Sequence, residues 1–243
     1  MTAKERIHRG YLVALFLALG FVGAIYNYGN IKSAYITHKI HGDLAPALAE
    51  KNLSWGAPVY LRIFKEEKKV EVWLRGQTEF SLFDTYPICS YSGKLGPKIT
   101  EGDRQSPEGF YDVSEEQLNP KSSYHLSFNL DFPNEYDRAN GRSGSFIMVH
   151  GSCVSIGCYA IQDANIEKVY SLMKAAFNAG QAEVQVHVFP FQMTAGNMDK
   201  HRESEWRDFW SDLKPAYDSF ETDKSRPPLI TVQNARYKVN GSH

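Results

Sequence analysis

Cysteine is scarce in this chain. There are three in 243 residues, Cys89, Cys153 and Cys158. An odd count leaves at least one thiol unpaired in a monomer, so a dense disulfide framework is excluded and at most one internal bridge remains. An excess of charge is missing too. Lys and Arg number 27 against 28 Asp and Glu, a net charge of −1. Neither nucleic acid nor an anionic membrane surface is therefore indicated as a bulk partner. No internal repeat is visible, which excludes a solenoid. Long apolar runs are absent but for one near the N-terminus.

That run extends from about Gly10 to Tyr26 and follows Lys4, Arg6 and Arg9. A basic flank before a short apolar stretch marks a secretory signal or a signal anchor. Val22-Gly23-Ala24 offers a small-residue cleavage site. Either outcome puts the rest of the chain outside the cytoplasm. A buried core helix would leave the basic flank and the N-terminal position as coincidences.

The remaining length suits one main domain with extensions. Residues 1–30 are the signal or anchor. Residues 31–56 read as a connector with a short helix, Leu44, Ala45, Leu48 and Ala49 falling at helical spacing before a stop at Asn52 to Gly56. Val59 to Phe64, Val70 to Leu74 and Phe80 to Ile88 alternate as strands. The charged run Lys65 to Lys69 between the first two reads as a solvated hairpin turn. Residues 92–109 are rich in Gly, Pro and charge, and a loop of that size is either functional or disordered. Phe110 to Val113, Tyr124 to Leu130 and Phe146 to Val149 are further strands, and Pro133 to Arg142 is a loop or short helix. Asp163 reads as the N-cap of a helix with a buried stripe of Ile166, Val169, Tyr170, Met173, Ala176 and Phe177, stopped by Gly180. Glu183 to Phe189 is the last strand of this unit, with His187 as a satisfied strand residue. Residues 194–243 form a C-terminal extension. Trp206, Phe209, Trp210 and Leu213 make an apolar stripe that must be covered, and docking on the main domain is the expected cover. Pro215 is expected to break that helix. Tyr217 and Phe220 extend its face, and Leu229 to Val232 and Ala235 to Val239 add two strands.

The chemistry concentrates in Ser145 to Tyr159. The apolar run Phe146 to Val149 ends on His150, and Ser155-Ile156-Gly157-Cys158 follows as a tight turn. A nearby imidazolium lowers a cysteine pKa from about 8.5 to roughly 3.5–7.5 and makes the reactive thiolate. Gly157 lacks a Cβ and lets the backbone turn tightly. The N–H groups of Gly157 and Cys158 then become candidates for an oxyanion hole. Nucleophile, base and cradle are thus all present. The competing set, His150, Cys153 and Cys158 as zinc ligands, lacks a fourth ligand and the usual paired spacing. No metal and no diffusible cofactor is implied.

His150-Gly151 followed by Ser155-x-Gly157-Cys158 resembles the L,D-transpeptidase catalytic domain of peptidoglycan enzymes, and the wider text is closest to its YafK-like murein branch. The matching segments run in order: Arg62 to Lys65, Tyr86 to Cys89, Ser92 to Lys98, Glu101 to Tyr111, His125 to Asn129, residues 150–158 and Val188 to Met193. The resemblance implies a β-sandwich with packed helices over residues 57–193, so the whole is mainly β with an α/β C-terminal extension. It assigns Cys158 as nucleophile and His150 as base, with Gly151, Ser155 and Gly157 shaping the site. Lys98, Arg104 and Tyr111 are the candidates for holding substrate, the first two through its carboxylates. Three features depart from the family pattern: Ile156 replaces a second histidine, Ala160 replaces an arginine, and the spacer from His-Gly to the cysteine is about half the usual length. All three fit the YafK-like branch. That branch implies hydrolysis of the amide joining diaminopimelate to the C-terminal lysine of the outer-membrane lipoprotein, with stem peptides and that lipoprotein as partners in the periplasm. Cross-link formation by transpeptidation and noncatalytic peptidoglycan binding are the alternatives. If Cys158 stays free to react, Cys89 and Cys153 are the pair left to bridge. Three free thiols and a Cys153–Cys158 bridge remain open beside it.

Overall fold

The computed structural model describes the backbone of residues 3–240 and the side chains of residues 27–240. The apolar run Gly10 to Tyr26 is outside the described side chains. Among the residues whose side chains are described, 27–240, no helix is long and apolar enough to cross a membrane.

Two five-stranded sheets carry the domain. The first has the order β3-β2-β1-β10-β5, built from β1 (Val59–Phe64), β2 (Lys69–Arg75), β3 (Phe80–Pro87), β5 (Gly109–Val113) and β10 (Val184–Phe189). The second has the order β4-β9-β8-β7-β6, built from β4 (Ser90–Tyr91), β6 (Leu118–Asn119), β7 (Ser127–Asn129), β8 (Met148–His150) and β9 (Tyr159–Ala160). Pairing is antiparallel except for β1 with β10 and β8 with β9. Successive side chains along a strand point to opposite faces. Val59, Leu61 and Ile63 of β1, with Val184, Val186 and Val188 of β10, enter the main core. There they meet Phe128, Val149 and Tyr159 of the second sheet and the stripe of helix α3 (Asp163–Asn178). Asp163 is the first helical residue and Gln162 the cap, one position from the expected start.

The opposite face of the first sheet is also covered. Helix α5 (Arg207–Thr222) lays Phe209, Trp210, Leu213 and Tyr217 over Phe64, Phe110 and Phe189. Its Phe220 closes on Tyr60, Trp73 and Phe80. That explains why every residue of β1 is buried. Pro215 lies inside α5 instead of ending it. A proline within a helix costs about 3 kcal/mol, and the buried aromatic residues on both sides of it offset that cost. The hairpin of β11 (Leu229–Gln233) and β12 (Arg236–Asn240) completes this layer through Tyr237. Arg62, buried under α5, pairs with Glu221 and Glu71 and faces the rings of Phe64 and Tyr217 at 4.9 and 4.8 Å. His187 shares this layer. Its Nδ1 lies 2.8 Å from Tyr60 Oη, and burial with Arg62 nearby pushes it down to about 3, a neutral structural imidazole.

Helix α1 (Ala3–Glu50) differs from the expected short helix in a connector. Ile36, Ile40, Leu44 and Leu48 recur every four residues and are all buried in the main core. Ser33 Oγ contacts Tyr170 Oη of α3 at 3.3 Å, and Lys32 Nζ donates to the His125 carbonyl. The helix stops where expected: Asn52 adopts a φ of 55° and Leu53 N–H caps the Leu48 carbonyl at 2.8 Å.

Candidate active site

The parallel pairing of β8 and β9 puts His150 and Cys158 on neighbouring strands. Val149 is opposite Tyr159 and His150 opposite Ala160. One step back along the register places Cys158 beside Met148, and Met148 N–H points at Cys158 Sγ at 3.4 Å. Met148 and His150 are two apart on one strand, so His150 and Cys158 share a face of the sheet, offset by two residues. Phe146, expected as a buried strand residue, is instead 75 % exposed with a φ of 54°; its carbonyl receives the Cys158 thiol at 3.6 Å.

The tautomer of His150 follows from its neighbour. Nδ1 is 2.6 Å from the Gly151 carbonyl. A carbonyl only accepts, so Nδ1 carries the proton and Nε2 keeps its lone pair. Tyr124 stacks on the ring at 4.6 Å. Burial pushes the imidazole below its ordinary pKa, opposed by the Gly151 bond. Burial likewise pushes the Cys158 thiol up, opposed by Met148 N–H and the charge of Lys98. Both shifts favour the neutral forms, thiol and imidazole, over a thiolate–imidazolium pair in the free site.

The turn after His150 is clamped from three sides. Gly151 N–H donates to the Leu126 carbonyl, and Ser152 N–H to Asp163 Oδ1 at 2.7 Å. A Cβ on Gly151 would lie 2.5 Å from Asp163 Oδ1 and 2.7 Å from the Tyr124 carbonyl, so only glycine fits. Cys153 is bridged to Cys89 with Cα atoms 5.6 Å apart, and Cys158 is free. The bridge also occupies a sulfur that the zinc reading requires. It closes a loop of 64 residues' separation, which in the chain-entropy account stabilises the fold by about 4 kcal/mol. Thermal unfolding with and without reductant is expected to show that loss together with reduced turnover. A midpoint indifferent to reductant would remove the bridge from the account.

Three serines fix the Cys158 backbone. Ser155 Oγ and Ser106 Oγ both donate to the Cys158 carbonyl, at 2.8 and 3.0 Å. Ser92 Oγ is 2.9 Å from Ser155 Oγ, and Ser92 N–H donates to Ser106 Oγ. Gly157 N–H is already committed to Ser155 Oγ at 3.1 Å, so Cys158 N–H is the remaining candidate for an oxyanion donor.

The candidate substrate residues separate. Tyr111 is 2 % exposed, on β5, with its hydroxyl donating to the Glu108 carbonyl and 3.4 Å from Asp137 Oδ2. It is a core residue and faces no substrate, because its strand parity points it into the main core. Lys98 is near enough to act on the thiol but is buried, with Nζ on Asp103 Oδ1 at 2.5 Å and the Thr100 carbonyl at 2.9 Å. Against the upward push of burial, Lys98 and the N–H groups of Ile99, Thr100 and Gln105 hold the Asp103 carboxyl below its usual range. Lys98 thus pins its loop. Arg104 is exposed, next to Gln105, whose carbonyl borders Gly157. Val154 and Ile156 flank the turn, 53 % and 82 % exposed.

The sequence profile of the L,D-transpeptidase catalytic domain (YkuD) matches residues 58–188, more than half of the chain and spanning both His150 and Cys158. The chain belongs to the L,D-transpeptidase family. YafK of Escherichia coli strain K12, whose name places it among the L,D-transpeptidases, is 42% identical over 228 residues, 94% of this chain and 90% of the relative. Among solved structures, the helical cell shape determining protein Pgp2 of Campylobacter jejuni aligns with a TM-score of 0.44 at 18% identity, over 77% of this chain and 79% of that one. Bd1075 of Bdellovibrio bacteriovorus aligns at 0.40 with 19% identity, over 76% and 83%.

As an L,D-transpeptidase-fold enzyme, the chain holds polar residues behind Cys158 that its sequence pattern alone did not single out. Lys65, read as part of a solvated turn, is fully buried against Glu108. Strand parity was the available signal, since Lys65 continues the Val59, Leu61, Ile63 face. Ser92 and Ser106 carried no signal of their own.

Proposed function

We propose that the protein is a cysteine hydrolase of peptidoglycan stem peptides that cleaves at a diaminopimelate amide and releases peptidoglycan-linked lipoprotein. The observation that supports this most is the His150 tautomer: Nδ1–H is held by Gly151 O, which leaves Nε2 basic on the sheet face shared with the Cys158 thiol. In this reading His150 Nε2 takes the thiol proton as sulfur attacks the amide carbonyl. Cys158 N–H supports the oxyanion. The C–N bond breaks, the leaving amine receives the proton from His150, and a thioester remains on Cys158. Water, deprotonated by the same imidazole, attacks the thioester and restores the thiol. Exposed Arg104 supplies a fork for the substrate carboxylate. Water as the acceptor, in place of a second amine, rests on the likeness to the YafK-like branch. The apolar segment Gly10 to Tyr26, behind its basic flank, supports a periplasmic setting for this chemistry, tethered or secreted.

Incubation with purified lipoprotein-linked muropeptides, followed by mass analysis, tests the reading. The expected products are lipoprotein with a free lysine amine and a muropeptide with a free diaminopimelate carboxylate, the elements of one water shared between them. Products joined to an amine would make the enzyme a transpeptidase, and unchanged substrate would overturn the reading.

A further inference from the structure

A buried polar cluster lies behind the nucleophile. Lys65 and Glu108 are both fully buried, with Nζ 3.0 Å from Oε1. All three ammonium donors are used, the other two on the Gly96 carbonyl at 2.9 Å and the Ser106 carbonyl at 3.0 Å. Glu108 is equally satisfied. Oε1 also accepts Gly96 N–H at 2.7 Å, and Oε2 accepts Trp210 Nε1–H of α5 at 2.8 Å.

The cluster is one residue away from the reacting cysteine. Ser106, whose carbonyl is held by Lys65, donates its hydroxyl to the Cys158 carbonyl. Its N–H is held by the Ser92 carbonyl, so every polar group of Ser106 is committed. A second link runs in parallel: Tyr159 Oη donates to the Pro107 carbonyl at 2.6 Å. The segment Ser106-Pro107-Glu108 is thereby fastened to Cys158-Tyr159 on one side and to Lys65 and Trp210 on the other. Apolar residues of similar volume often serve stability as well as a buried ion pair does. A fully connected polar network instead fixes position, because each member has few alternative partners.

We infer that Lys65, Glu108 and Trp210 are positioning residues that set the Cys158 backbone, and hence its thiol, through Ser106. This inference rests on Cys158 being the nucleophile. It also makes α5 of the C-terminal extension part of the catalytic unit through a single indole N–H. Small displacements at a reacting centre cost up to about 100-fold in rate.

Four variants of the full chain test this. Ser106→Ala removes the hydroxyl and Ser106→Thr keeps it. Trp210→Phe deletes the indole N–H while retaining an aromatic ring. Lys65→Met combined with Glu108→Gln removes both charges, so no lone buried charge is left. For each, thermal midpoint, kcat, KM and the pH profile of Cys158 alkylation by iodoacetamide are measured. Ser106→Ala and Trp210→Phe are expected to lower kcat roughly 10- to 100-fold with KM little changed. Their alkylation profile is expected to move to higher pH, as the sulfur loses Met148 N–H. Ser106→Thr is expected to restore both readouts. Folded Ser106→Ala and Trp210→Phe variants with unchanged kcat and alkylation profile would overturn the inference, even if the double variant fails to fold. The alkylation readout needs no substrate. A shifted profile alongside absent lipoprotein release would therefore retain the positioning role while rejecting the proposed substrate.

Discussion

Cys158→Ala is expected to abolish turnover while leaving the thermal midpoint close to that of the parent protein. The thiol is half-buried and makes two weak contacts, with Met148 N–H and the Phe146 carbonyl. The bonds that fix the local backbone, from Ser155 and Ser106 to the Cys158 carbonyl, do not involve the side chain. Removing sulfur thus deletes the proposed nucleophile and little else. Cys153→Ala is expected to lower the midpoint and to reduce turnover far less. It breaks the bridge to Cys89 and loses about 4 kcal/mol by loop-closure entropy, but it leaves the reactive thiol in place. Turnover and unfolding curves of the two variants, measured side by side, separate the roles. An active Cys158→Ala variant beside a folded but inactive Cys153→Ala variant would reverse the assignment.

His150→Ala is expected to cost about 10²- to 10⁴-fold in kcat, the usual worth of a positioned general base. The pH dependence gives a sharper signature. Burial lowers the His150 pKa, so the imidazole remains neutral and basic to more acid pH than a free histidine. The acid limb of kcat/KM is therefore expected below pH 6.5, the ordinary histidine value. Burial raises the thiol pKa, so alkylation of the substrate-free enzyme should climb only in the alkaline range, above where an ordinary cysteine reacts. In His150→Ala the acid limb should disappear from kcat/KM. A profile in which that limb survives would remove His150 from the mechanism, and rapid alkylation at neutral pH would contradict a resting neutral pair.

The sequence by itself determined the elements whose signal is periodic and local. β1 runs from Val59 to Phe64 as its alternation indicates, and the stripe of α3 from Ile166 to Phe177 is buried throughout. The stripe on α5 and the pair β11 and β12 were legible for the same reason. His150 and Cys158 were legible as candidates because they fall within one short stretch, and the strand pairing needed only to bring its two ends side by side.

Tertiary structure alone decided what depends on remote cover. Lys98 looks available in a charged loop, and Tyr111 in the strand that closes it. Tyr111 enters the core because β10 pairs beside β5, and Lys98 is spent on Asp103. Lys65 looks solvated until Glu108, 43 positions later in the numbering, arrives with Gly96 and Ser106 to accept its hydrogen bonds. Pro215 looks like a helix end until both sides of it are buried against the first sheet. The protonation of the dyad belongs to the same class. Spacing places an imidazole near a thiol, but desolvation by the whole packed domain sets which of them holds charge. Period and turn chemistry act over a few residues and can be read along the chain. Burial, ion pairing and pKa are set by whichever distant segments close over a side chain, and only the folded arrangement specifies those.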